Sequence, residues 1–336
     1  MKNEKVLLNH GSGGKLMDEL IRNVILKNLT NPILGRMQDS AVLKIGKTKA
    51  AFTTDSYIVN PIFFPGGNIG TLAVNGTVND LSMMGAKPLY ISLALIIEEG
   101  FPISSLKKII LSVKEEAKKA GVQIVCGDFK VGETNSIDKI FINTSGIGII
   151  PEKADISTKN AKPGDVIILS GEIAEHGVTV MNERNGLNFK GDLKTDSQAL
   201  NLMVEAMLKV SSGINAMRDP TRGGLASVLN EIAISSEVGI EINEEAIPIK
   251  KEVMSACDIL GLDPFYVANE GKLVAIVTKK DAQKILKTMK KTKTGKKAAI
   301  IGNIVKTKRP QVILETKIGG KRILDMLSGE QLPRIC

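Results

Sequence analysis

Apolar and polar positions along the chain fall into two rounds of strand and helix. Residues 50–54 predict a short strand ending at Asp55. Between residues 69 and 85, Leu72, Val74, Val78, Leu81 and Met84 recur mostly at helical spacing, and Gly85 with Pro88 beyond supplies the stop. Residues 89–97 read as a buried strand. Residues 104–120 read as an amphipathic helix with Ser104 as N-cap and Gly121 as terminator. Residues 122–126 predict a strand running into Gly127-Asp128, and 139–150 predict another. The polar stretch 151–164 holds two prolines and suits a linker, after which 165–169 opens a second series. There the pattern predicts helices over 174–184, 197–208, 224–235 and 281–290, with strands over 272–277, 298–304 and 312–315. The expected division is 1–150, 151–325 and a mobile tail, 326–336, containing Gly329 and Pro333.

Composition narrows the class. At 43% hydrophobic and 24% charged residues, 336 residues make an ordinary globular chain of about two domains with a sizeable core. Aromatics are 3% with no Trp, so the core is aliphatic and stacking platforms for nucleobases are scarce, which argues against nucleic-acid binding. The longest apolar run, 91–97 with one Ser inside it, is far short of the roughly 20 residues of a membrane span. Met1-Lys2-Asn3-Glu4-Lys5 lacks an apolar leader core. Cys126, Cys257 and Cys336 form no CxxC pair and fit a reducing, cytoplasmic location. The net charge of +9 is concentrated between Lys279 and Arg309, where twelve Lys/Arg meet one acid, Asp281. Such a segment can meet nucleic acid or an acidic partner. With no aromatic in it, a solvated lysine face is the favoured reading.

Four features carry chemistry. The loop His10-Gly11-Ser12-Gly13-Gly14-Lys15 precedes a helix-like stretch, and glycines there let backbone N–H groups close on phosphate oxygens. Asn9 and Leu16 exclude a Walker A loop, and Leu16 also excludes a dinucleotide fingerprint. Alone, the loop equally suits a flexible N-terminal turn. Asp39, Asp55, Asp80 (after Asn79) and Asp128 each end or follow an apolar stretch. Carboxylates so placed can converge on Mg²⁺ ions bridging nucleotide phosphates, although aspartate also serves as turn former and helix cap. Arg218-Asp219-Pro220-Thr221-Arg222-Gly223-Gly224 opens a helix with two arginines suited to phosphate or carboxylate. The same segment reads equally as a capped helix start with surface arginines. Finally, Cys336 ends Leu332-Pro333-Arg334-Ile335-Cys336. A thiol on a tethered tail can be modified at one site and delivered to another. Arg334 and the terminal carboxylate oppose each other there, so no unusual nucleophilicity is expected.

Together with Asp39-Ser40-Ala41-Val42-Leu43, Thr53-Thr54-Asp55-Ser56-Tyr57, Phe63-Phe64-Pro65-Gly66-Gly67, Val78-Asn79-Asp80-Leu81 and Asn269-Glu270-Gly271, these residues resemble the hydrogenase maturation HypE family of carbamoyl dehydratases. That family lies in the ATP-binding superfamily of aminoimidazole ribonucleotide synthetase, selenophosphate synthetase and thiamine-monophosphate kinase. The likeness covers nearly the whole chain, and its most specific mark is the Pro333-Arg334-Ile335-Cys336 ending. It implies an α/β (α+β) fold of two aminoimidazole ribonucleotide synthetase-like domains, paired as a homodimer with ATP near the interface. It implies ATP and Mg²⁺ as cofactors, held by Gly11, Ser12, Gly13, Gly14, Lys15, Asp39, Asp55, Asn79, Asp80, Asp128 and Arg222, with Asp39, Asp55, Asp80 and Asp128 on the metal. Cys336 would receive a carbamoyl group from the carbamoyltransferase HypF and be dehydrated to an S-cyanylated cysteine. Its cyanide would pass to iron on the HypC–HypD complex. Glu270 is the first candidate base, followed by Lys130, Glu133 and His176; His176 beside Gly177 also suits a helix cap. One departure is Phe129, where the family carries a small polar residue before the lysine.

Overall fold

The computed structural model describes residues 5–29, 31–187, 189, 191–329, 332 and 334–336; Met1 to Glu4 of the leader reading and Pro333 of the tail motif lie outside the described residues. An N-terminal helical segment, α1 (Lys15–Leu20), runs through a π-helical stretch into α2 (Lys27–Leu29). The first half is built from β1 (Ala41–Ile45), β2 (Thr48–Tyr57), the short hairpin β3 (Phe63–Phe64) and β4 (Gly67–Asn68), α3 (Ile69–Met83), β5 (Lys87–Glu98), α4 (Ile103–Ala120), β6 (Gln123–Gly132) and β7 (Ile140–Ile150). Its five-stranded sheet has the order β1-β2-β7-β5-β6, antiparallel except for the β5–β6 pair, which α4 joins by a crossover.

The second half contains β8 (Val166–Leu169), α5 (Glu175–Asn185), α6 (Asn201–Val210), β9 (Ile214–Arg218), α7 (Gly224–Ser236), β10 (Gly239–Asn243), α8 (Lys251–Leu260), β11 (Val274–Val277), α9 (Ala282–Lys291), β12 (Ala299–Val305), β13 (Gln311–Glu315) and β14 (Lys321–Ile323). Its seven strands run β14-β13-β10-β12-β8-β11-β9 and pair antiparallel except β10 with β13. The two sheets and their helices make the mixed α/β, two-domain architecture expected from the sequence. Residues 151–165 join them without strand or helix and bury Ala154, Ile156 and Ala161. No helix among the described residues is long and apolar enough to cross a membrane.

Helix α3 sits between the halves, in contact with β2 and β7 on one side and α6 and β9 on the other. It is buried nearly all round, Asn75, Thr77, Asn79 and Ser82 included. Asn68 caps it, accepting from the Gly70 and Thr71 amides at 2.8 and 3.3 Å.

Several boundaries differ from the sequence reading, each for a local reason. Helix α4 starts at Ile103 with Pro102, not Ser104, as its N-cap; the Pro102 carbonyl accepts from the Ser105 and Leu106 amides. Strand β2 continues past Asp55 because its pairing with β7 runs on to Tyr57 opposite Ile142. Strand β6 continues past Cys126 because its register with β5 holds to Gly132 opposite Glu98. Helix α6 starts at Asn201 rather than 197, since Ser197 donates its amide to the Thr195 hydroxyl and Leu200 to Asn79 Oδ1. Strands β1, β9 and β10 and helix α8 arise where the pattern predicted no element.

Candidate active site

Strand periodicity and helix periodicity bring the site together. Along β2, Thr53, Asp55 and Tyr57 are two residues apart and share one face; along α3, Gly76 and Asp80 are four apart and share another. Gly76 is where the two elements touch: a Cβ there would lie 2.1 Å from the Tyr57 hydroxyl oxygen. Asp39 precedes β1, Asp219 and Arg222 lie in the turn from β9 into α7, and Glu270 precedes β11. These residues and Cys336 line one cavity of about 230 Å³. The N-terminal loop closes its rim. A Cβ on Gly13 would stand 2.7 Å from the Arg222 backbone, and one on Gly223 would stand 2.9 Å from the Gly13 carbonyl oxygen. Both glycines have φ +77°, which side chains rarely adopt.

Carboxylate oxygens of Asp39, Asp80 and Asp219 all lie within 4.8 Å of one another. Burial, against the pull of Arg218, pushes the Asp39 carboxyl up to about 8. Burial likewise raises Asp219 to about 6 and holds Asp80 well above its ordinary value, with Asp219 and Asp55 adding repulsion. The Thr53 hydroxyl donates to Asp80 Oδ2 at 2.8 Å, and Arg218 pairs with Asp39 at 2.8 Å and with Glu231. Asp39 Oδ2 is buried without a hydrogen-bond partner. A compact all-oxygen donor set with an orphaned carboxylate oxygen fits a hard divalent cation such as Mg²⁺. Asp55 lines the same cavity outside this trio. Asp219 is not among the carboxylates that the sequence singles out; its neighbour Arg218 and the Gly223-Gly224 turn are the available signal.

Cys336, Arg222 and Glu270 line the same cavity. Burial, opposed by Arg222, pushes the Cys336 thiol up to about 12. Burial, with Asp55 and Asp196 adding to it, holds the Glu270 carboxyl well above its ordinary value. Arg222 in turn is held protonated by Cys336, against burial, and by Asp55 and Glu270. The tail reaches this point by lying along the end of β2. The Ile58 amide donates to a Cys336 main-chain oxygen at 3.1 Å and the Asn60 amide to the Arg334 carbonyl at 3.2 Å. Arg184 donates to the Arg334 carbonyl at 2.8 Å, and Arg334 pairs with Asp138. Leu332 and Ile335 are buried in an apolar cluster drawn from both halves.

Other sequence candidates sit elsewhere. Gly14 and Lys15 border a neighbouring cleft of about 970 Å³, where Lys15 pairs with Asp325 at 2.7 Å. Gly11 and Ser12 line neither space, the Ser12 hydroxyl donating to the Asn9 carbonyl at 2.8 Å. The Asn79 amide bridges the halves, donating to the Gln198 and Glu270 carbonyls and accepting from Leu200. Asp128 and Lys130 pair at 2.7 Å on the exposed edge strand β6, with Glu133 just beyond, and the single copy does not bring them to the cavity. His176 is fully buried behind the tail, with both ring nitrogens engaged.

Residues 37–150 match the AIR synthase related protein N-terminal domain, and residues 162–315 match its C-terminal domain. The carbamoyl dehydratase HypE of Azotobacter vinelandii is 47% identical over 336 residues, spanning 100% of this chain and 98% of that protein. A crystal structure of the hydrogenase maturation protein HypE in complex with ATP matches with a TM-score of 0.84 at 46% identity, covering 99% of this chain and 100% of that one. A HypE–HypF complex structure matches with a TM-score of 0.88 at 48% identity, covering 92% and 99% respectively.

Proposed function

The chain belongs to the carbamoyl dehydratase HypE family of hydrogenase maturation enzymes, and from that premise we propose how its own residues carry the reaction. The substrate is an S-carboxamide on Cys336, loaded by HypF, and the product is an S-cyanylated Cys336. Cyanide then passes to iron on the HypC–HypD complex as a ligand for the [NiFe] hydrogenase centre. The observation that carries this reading is the Cys336 side chain lining the carboxylate cavity beside Arg222 and Glu270.

The carboxamide oxygen is a poor leaving group. It takes the γ-phosphoryl group of ATP as one N–H proton leaves. The C–O bond then breaks as the second N–H proton leaves, giving C≡N, ADP and phosphate. Asp39, Asp80 and Asp219, with Asp55 beside them, would hold Mg²⁺, which neutralises phosphate charge when bound. Glu270 accepts the first nitrogen proton, burial raising its proton affinity toward that task, and the departing phosphate oxygen carries off the second. Arg222 keeps its charge and steadies anionic oxygen in the cavity. Gly13, packed on Arg222, closes the rim and limits water.

The seated thiol is too weakly acidic to act as a nucleophile, so the tail is proposed to withdraw for loading and return for dehydration. The domain limits proposed for this cycle are 1–150, 151–325 and the tail 326–336. A homodimer is proposed through β5 and the exposed edge strand β6, where Tyr90, Phe129 and Val131 are 45%, 53% and 60% exposed. Lys130 and Asp128 lie on that strand, so a second copy gives them a route into the reaction. The proposed setting is cytoplasmic.

Mass spectrometry of the peptide ending in Cys336 tests the reading. The protein is incubated with HypF, carbamoyl phosphate and ATP, with and without Mg²⁺. A carbamoyl adduct that loses one water only with ATP and Mg²⁺ is expected, and E270Q should retain the adduct. An adduct that never loses water would make the chain a passive carrier. An unmodified Cys336 beside active HypF would point to a small-molecule synthetase.

A further inference from the structure

We infer that His176 is a positioning residue that latches the tail: its Nε2–H holds the Ile335 carbonyl, and its other nitrogen ties that hold to the loop that places Glu270. The geometry stands alone; its meaning for catalysis rests on the dehydratase reading above.

Hydrogen-bond polarity fixes the arrangement. The Ile335 carbonyl can only accept, so the His176 nitrogen 2.8 Å from it, Nε2, carries the proton. Nδ1 is then the lone pair, and the Thr195 hydroxyl donates to it at 2.7 Å. The Thr195 oxygen accepts in turn from the Ser197 amide at 3.1 Å, while the Thr195 amide donates to the Pro65 carbonyl at 3.0 Å. Next to Thr195, Asp196 Oδ1 accepts the Glu270 amide at 3.0 Å, and Oδ2 pairs with buried Lys272 at 2.9 Å. Lys272 also reaches Glu175, which pairs with Lys250. The dipeptide Thr195-Asp196 thus touches the latch with one residue and the backbone of the candidate base with the other.

The ring has no freedom to do otherwise. It is fully buried, with the Phe64 ring edge-on to it at 5.6 Å between centroids. Burial, with Asp196 opposing, favours the neutral ring, which leaves one N–H and directs it to the tail. The other tail contacts reach residues 334 and 336 and the side chains of Leu332 and Ile335. The backbone of residue 335 meets a side chain that continues into the Glu270 loop.

The test reads Cys336 accessibility in the resting full-length protein, with no nucleotide chemistry. Iodoacetamide alkylation is followed peptide by peptide, with exposed Cys126 and buried Cys257 as internal references. H176L should alkylate Cys336 about three- to tenfold faster, the scale of one lost buried hydrogen bond. Cys257 should stay protected, and H176Q, which keeps a donor, should remain within about twofold of the native rate. In H176L, water loss from carbamoylated Cys336 should slow while loading by HypF does not; a merely structural loss would slow both. A native alkylation rate at Cys336 in H176L overturns the latch. If Cys257 becomes reactive in H176L, T195V takes its place, and the same two outcomes at Cys336 decide. Release of Cys336 in a chain that never dehydrates a carboxamide would keep the latch and remove the dehydratase reading.

Discussion

Replacing Asp80 by Asn removes one of three carboxylates whose oxygens lie within 4.8 Å of one another, and the consequence has opposite signs with and without a cation. Two full charges at that separation, in an effective dielectric of about 20, repel by about 3.5 kcal/mol. Arg218, 2.8 Å from Asp39, offsets part of this, and protonation relieves more. Asn keeps the size of the side chain and still accepts from the Thr53 hydroxyl. Metal-free D80N should therefore be more stable than the native chain by about 1–3 kcal/mol, a rise of about 2–6 °C in melting temperature. Mg²⁺ with ATP should stabilise the native chain, by about 2.7 kcal/mol at a hundred times the dissociation constant, and should not stabilise D80N. The order of the two melting temperatures then reverses on adding the cation.

The pH dependence gives an independent check. Asp39 is pushed up to about 8 and Asp219 to about 6, so between about pH 4 and pH 8 the folded chain keeps protons that the unfolded chain has released. Stability of the metal-free protein should fall as pH rises across that window. The fall should be shallower in D80N. Thermal melts in chelator from pH 5 to 9, repeated with Mg²⁺ and ATP, measure all of this. A D80N chain that melts below the native one in chelator, or that keeps the full cation-dependent shift, would refute the reasoning.

Two other perturbations address the scaffold. G76A places a methyl group 2.1 Å from the Tyr57 hydroxyl oxygen, and overpacking should outweigh the gain in helix propensity, lowering stability by about 1–3 kcal/mol; adding Y57F, which deletes the clashing oxygen, should recover part of the loss in the same melts. V131D places a charge on the exposed face of β6 and should convert a homodimer to monomers in sedimentation or light scattering, whereas an unchanged mass would place the interface elsewhere.

How much could be read from the chain depended on whether a feature was local. The helix over 103–120 was legible because Ile109, Val113, Ala117 and Ala120 recur on one side of an otherwise charged segment. Helix α3 showed a blurred pattern because both sheets and α6 bury it, polar residues included. The Gly-rich loop announced itself, yet its lysine turns to Asp325, since only the finished fold brings residue 325 beside it. Asp39, Asp55 and Asp80 could be named in advance because each reads as lying at the end of an apolar or helical stretch. Asp219 could not, because its place beside them depends on β9 meeting α3 across the molecule. The extension of β6 past residue 126 was equally hidden, being set by register with β5, and it carries Asp128 and Lys130 out along the edge strand. The latch at His176 has no sequence signature, since its partners are a threonine and a backbone carbonyl.

The position of α3 between the halves also bears on how the protein is made. Asp39 and Asp80 leave the ribosome long before Asp219, and α3 has no α6 or β9 to cover its second side until then. A nascent first half therefore exposes a helix that the finished fold buries, and it carries two of the three clustered carboxylates. Loop closure across so many residues is slow, and chains with such separated contacts pass through partly covered intermediates. Assembly of the three-carboxylate cluster is thereby deferred to the end of synthesis, and the half-made chain is the stage at which chaperone protection matters most.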